Sequence, residues 1–125
     1  MIEHPVLVAT RRCGQNEDDV TRARQTGAAL EEVLEQALNI QDATTMSQAL
    51  LTALVRQFEQ LVRPYVANCP VHPLPAWVDT QRRALHRHAV NLFGTRVAMA
   101  IAPDVAHEPL LMPGAGAGPR SMFGL

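Results

Sequence analysis

The sequence predicts an all-α protein with a three-helix core and extended N- and C-terminal arms. Three observations carry this. Apolar residues recur at helical spacing in three long blocks. Each block begins or ends at residues that favour helix termini. The two β-compatible runs, residues 6–10 and 97–101, could pair, but Ala98 and Ala100 suit the second to a helix. The domain organisation that follows is an N-terminal arm or short strand over residues 1–16, a helical core over 17–102 and a Pro/Gly-rich C-terminal arm over 103–125.

Residues 6–10, VLVAT, are β-compatible, but a lone strand is not stable in water and must pair or adopt another structure. The turn RRCGQN follows. Asn16 then precedes Glu17, Asp18 and Asp19, three acids suited to the positive end of a helix. The first helix is expected over 17–39. Val20, Ala23, Gly27, Leu30, Leu34 and Ala37 recur at alternating intervals of 3 and 4, a seam that a bundle neighbour or a second subunit would fill. Small Ala23 and Gly27 would let a neighbouring helix approach closely.

Thr45 with Gln48 three places on has the pattern of a capping box, which starts a second helix over 46–62. Leu50, Leu54, Phe58, Leu61 and Tyr65 line one side, and Leu51, Val55 and Val62 an adjacent one. So wide an apolar arc predicts the most buried helix. Arg63 before Pro64 is expected to end it. Four prolines in residues 64–76 predict an extended crossover.

The third helix is expected over 79–102, capped by Asp79 or starting earlier, near Ala76. Val78, Leu85, Ala89, Leu92, Val97 and Ile101 make its apolar stripe. Gly94 costs about 1 kcal/mol against Ala inside a helix and predicts a bend or a close crossing. Pro103 stops the run. Beyond it the chain has no helical or strand period, yet carries apolar islands at Leu110, Leu111 and Met112 and at Met122, Phe123 and Leu125.

At 125 residues the chain is one domain at most, able to bury about two-thirds of its surface. A net charge of −1 argues against a dedicated nucleic-acid binder, and 4% aromatic content offers no stacking platform for single strands. Every Lys/Arg position is Arg; this side chain suits bidentate pairs, but the codon bias of a GC-rich genome produces the same composition and is the preferred explanation. Two cysteines make no disulfide framework. The apolar start lacks a basic lead and is too short for a signal peptide, and no run approaches a membrane span. A soluble protein of the cytoplasm or of a virion is expected.

Chemistry-bearing motifs are few. Cys69 and His72 have metal-ligand spacing and Cys13 offers a third ligand, but a structural zinc site needs four, and His86 and His88 point to different sides of a helix. The run PGAGAG lacks the Lys and the following helix of a phosphate loop. Glu31, Glu32 and Glu35 lack the His three places on that bundle di-metal sites use. No catalytic residue, cofactor or metal is therefore expected.

The partner-binding candidates are of two kinds. Arg82, Arg83, His86 and Arg87 cluster within two turns, and like charges four apart are unfavourable unless an anion faces them. They would meet a phosphate or an acidic partner, or else acidic residues of the same fold and solvent. Leu110, Leu111, Met112, Met122, Phe123 and Leu125 would dock on a neighbour. Together these features point to a non-enzymatic structural or adaptor subunit, a homo-oligomer that joins other assembly proteins through its arms. A bacteriophage particle component such as a head–tail connector or tail protein is the concrete form expected. The alternative is a small helical regulator that binds nucleic acid or a protein through its Arg/His face.

Overall fold

The computed structural model describes residues 3–103. It contains five helices among the described residues: α1 (Pro5–Arg12), α2 (Glu17–Leu38), α3 (Thr45–Asn68), α4 (Leu74–Phe93) and α5 (Thr95–Ile101). The all-α class holds, and no strand occurs among the described residues.

The residues expected to form an arm or strand instead make α1. Pro5 occupies the first turn, where its missing N–H costs nothing, and the His4 side chain accepts from the Val6 amide. Val6 and Ala9 are fully buried, and the Thr10 hydroxyl donates back to the Val6 carbonyl at 2.8 Å. Burial of one face against the bundle outweighs the β preference of Val6, Val8 and Thr10, whose intrinsic cost in a helix is below about 1 kcal/mol each.

In α2, Asn16 caps the Asp19 amide at 2.8 Å, and Ala23, Gly27, Leu30, Leu34 and Ala37 are buried. The expected seam is thus the core face of this helix. At the start of α3 the capping box is one residue earlier than expected. Thr44 and Ser47 exchange hydrogen bonds of 2.8 and 3.0 Å. Leu51, Leu54, Val55, Phe58 and Val62 are buried in α3.

Pro64 does not stop α3, which runs on to Asn68. A proline inside a helix removes one ladder bond and costs about 3 kcal/mol. The last turn offsets this through tertiary contacts: the Tyr65 hydroxyl meets Thr26 of α2 at 3.0 Å, and Cys69 is buried beyond it. The expected long crossover therefore shrinks to residues 69–73, where the His72–Pro73 peptide is cis. Helix α4 begins at Leu74 with Pro75 in its first turn. Asp79 is thus inside α4 rather than at its cap, and pairs with Arg83 at 3.1 Å.

The expected third helix is two helices. Gly94 has φ +92°, a region that favours glycine, and ends α4 while starting α5. A Cβ there would meet nothing within 4 Å, so the backbone turn rather than a close crossing explains the glycine.

The core joins all five helices. Phe58, Leu30, Leu51, Leu74 and Leu85 are among its largest fully buried side chains. Trp77 of α4 packs on Phe58 at 6.0 Å and, edge-on, on the His4 ring at 4.6 Å. The Pro/Gly-rich segment from 104 onward, with Leu110, Leu111, Met112, Met122, Phe123 and Leu125, lies outside the described residues.

Candidate functional site: the surfaces around α3 and α4

The four basic candidates of α4 divide between two settings: Arg82 and His86 are half-buried, and Arg83 and Arg87 are exposed. Arg82 reaches across to α3 and binds Glu59 bidentately, Nε to Oε2 at 2.8 Å and Nη2 to Oε1 at 2.6 Å. Both side chains are under one-third exposed, which strengthens such a fork-to-fork pair over a surface one. Arg83 pairs with Asp79 one turn earlier and is about half exposed. His86 Nδ1 donates to the Ala102 carbonyl at 2.5 Å, tying α4 to the end of α5. Arg87 is exposed and has no ion-pair partner among the described residues. Acidic residues of the same fold thus meet two of the four.

His88 points elsewhere, as two-residue spacing requires, and its Nε2 donates to the Ile40 carbonyl at 2.8 Å. That bond anchors the α2–α3 connection to α4. His4 is the third structural histidine. Its Nδ1 accepts from Val6, so the ring proton is on Nε2, which lies 3.0 Å from Glu31 Oε2. The distance is that of an ion pair, but the approach is poorly aligned for a hydrogen bond. Burial lowers the His4 pKa, against the opposing pull of Glu31.

Two clefts flank α3. One of about 430 Å³ lies between α3, α4 and α5, with Arg56, Arg63 and the Arg82–Glu59 pair around a floor of Val55, Leu85 and Ile101. Three guanidinium groups against one carboxylate make its rim positive. The other, of about 610 Å³, lies between the end of α1, α2 and the last turn of α3, and is lined by Thr10, Gln15, Arg22, Tyr65 and Cys69 among others. Among the described residues neither cleft pairs a nucleophile with a histidine base. No group of three or more His, Cys, Asp or Glu side chains among the described residues is arranged to hold a metal.

Sequence reasoning missed two features. The first is an uncovered apolar patch: Met46 is 82% exposed and Leu50 47%. They are four apart on α3 and therefore share a face. Leu38, at the end of α2, is 39% exposed beside the same connection. Leu50 had been expected to line the core, but the buried arc is centred on Leu51, Leu54, Val55 and Phe58. Thus the helix buries a narrower arc than its apolar width suggests. The second is the meeting of Cys13 with Cys69. The Cys13 thiol is pushed up to about 11, first by a hydrogen bond to Cys69.

No helix among the described residues is long and apolar enough to cross a membrane. Comparison with protein-family models, with curated proteins and with solved structures returns no match.

Proposed function

We propose that the protein is a non-enzymatic structural or adaptor subunit that oligomerises, the segment beyond residue 103 of one copy covering the apolar face of α3 on the next. The single observation that supports this most is the exposure of Met46 and Leu50 on one face of α3. Full burial of an exposed side chain of this kind gains about 1.5–3 kcal/mol, and about half that for the half-buried Leu50, so a face that carries both favours a partner.

The occupant is argued from the chain's own composition. Residues 110–125 carry Leu110, Leu111, Met112, Met122, Phe123 and Leu125, interrupted by Gly and Pro. Phe123 is the best anchor, because aromatic side chains often dominate interfaces. Ordering such a segment costs about 1–2 kcal/mol per residue, which several anchors acting together offset. A bacteriophage particle component, such as a head–tail connector or tail protein, is the kind of assembly protein this arrangement fits.

The test is the mass of the full chain by light scattering over a range of concentrations, compared with Met46→Glu and Leu50→Glu. Both positions are exposed, so the fold tolerates the charge. The wild type should give a discrete oligomer and the variants a smaller species. An identical mass in all three would remove α3 from the interface. A strict monomer that retards DNA in electrophoresis would favour the regulator reading, with Arg87 the first residue to examine.

A further inference from the structure

The two cysteines are 56 positions apart in sequence and are the only cysteines of the chain. The fold brings them to one junction. Cys13 caps the C-terminus of α1 and Cys69 caps the C-terminus of α3. Cys13 Sγ lies 4.0 Å from the carbonyl oxygen of Asn68, the residue before Cys69. Two side chains from the same end of α1 fasten the junction. Gln15 Nε2 donates to Cys69 Sγ at 3.6 Å, and Arg12 Nη1 donates to the His72 carbonyl at 3.0 Å. Cys69 is 3% exposed, whereas Cys13 is partly open to solvent. One thiol can therefore meet a reagent while the other waits behind it.

We infer that Cys13 and Cys69 form an intramolecular disulfide when the protein meets a small-molecule disulfide, and that this bond clamps the end of α1 to the end of α3. The Cys13 thiolate attacks one sulfur of the reagent and expels the first reagent thiolate, leaving a mixed disulfide on Cys13. Cys69 releases its proton to solvent and attacks the Cys13 sulfur, expelling the second. The protein loses two hydrogens and is oxidised by two electrons; the reagent is reduced to two thiols. The raised Cys13 pKa governs the rate. With a thiol near 11, the thiolate fraction grows about tenfold per pH unit through the neutral and mildly alkaline range.

The bond has a structural consequence. Helix α1 is only 8 residues long and is joined to α2 by a short turn. The crosslink closes a loop of more than fifty residues, which restricts the unfolded chain strongly. The oxidised protein should therefore melt higher by about 10 °C or more.

The experiment treats the reduced full chain with oxidised glutathione at mildly alkaline pH, then measures intact mass and maps thiols after blocking. The expected product is a monomer lighter by two hydrogens, with Cys13 and Cys69 in one linked peptide pair and a raised Tm. Formation should quicken about tenfold per pH unit. Cys13→Ser should give no crosslink and leave Cys69 unmodified in the folded protein. If that variant does not fold, the wild-type peptide map decides by itself. A stable glutathione adduct on Cys13 with Cys69 free, or a disulfide-linked dimer, would overturn the inference.

Discussion

The seating of α1 on α2 can be tested at a single glycine. A Cβ added to Gly27 would lie 3.0 Å from His4 Cγ and 3.1 Å from His4 Cβ. The His4 Cβ is fixed to the backbone and cannot rotate away, so the chain at His4, just before α1, would have to give by a few tenths of an ångström. Overpacking of this kind costs about 1–3 kcal/mol, and the better helix propensity of Ala returns about 1 kcal/mol. Gly27→Ala should therefore destabilise the native chain by up to about 2 kcal/mol. In a His4→Gly background both contacting atoms are gone, and glycine is a tolerable N-cap. There the same substitution should stabilise by about 1 kcal/mol. The coupling between the two sites is then about 1–3 kcal/mol, within the range for residues in contact. Urea unfolding followed by circular dichroism on the four proteins measures it. If Gly27→Ala stabilises both backgrounds equally, α1 is not seated on α2 and the five-helix core is wrong.

Three further outcomes follow from the packing. His4 has a lowered pKa in the fold, so folding favours its neutral form. Its contribution is fully present above the unfolded pKa of about 6.5 and is lost as pH falls below that value. A pH series of urea midpoints should show this loss, and His4→Gly should flatten it. Leu34→Ala in the α2 core should cost about 2–5 kcal/mol, against a change within about half a kcal/mol if that face were wet. A double-mutant cycle on Arg82→Ala and Glu59→Ala should show a coupling of about 1 kcal/mol or more that shrinks little with salt, because the pair is partly shielded. A coupling that vanishes at high salt would make it an ordinary surface contact.

How much was legible depended on where the deciding interactions lay. Helix α2 was readable because its cap, its acidic first turn and its apolar period are all local and agree. Helix α1 was not, because three β-branched residues prefer strand locally while burial against α2 and Trp77 decides the outcome. Pro64 misled for a similar reason: the local rule ends a helix there, and contacts from Tyr65 to α2 carry it onward. Gly94 was legible only as a bend or close crossing within one helix, because the apolar period continues across it to Ile101; the positive φ that splits the run in two has no sequence signal beyond the glycine itself.

The surfaces followed the same division. Clustering of Arg82, Arg83, His86 and Arg87 was visible from four-residue spacing. The Glu59 that meets Arg82 lies 23 residues earlier, and the carbonyl that holds His86 lies 16 later; neither partner has a sequence signal. Exposure of Met46 and Leu50 was hidden because both continue an apolar arc that the helix buries only in part.

The proposed assembly rests on the segment beyond 103, and its removal tests that most directly. Deleting residues 113–125 takes away Met122, Phe123 and Leu125 and leaves every described helix in place. Light scattering should then report a smaller mass than the full chain gives at the same concentration, while the helical circular dichroism is unchanged. A truncated protein that assembles to the full-length mass would contradict the assembly reading, as would one that loses its helical signal because the segment packs on its own core.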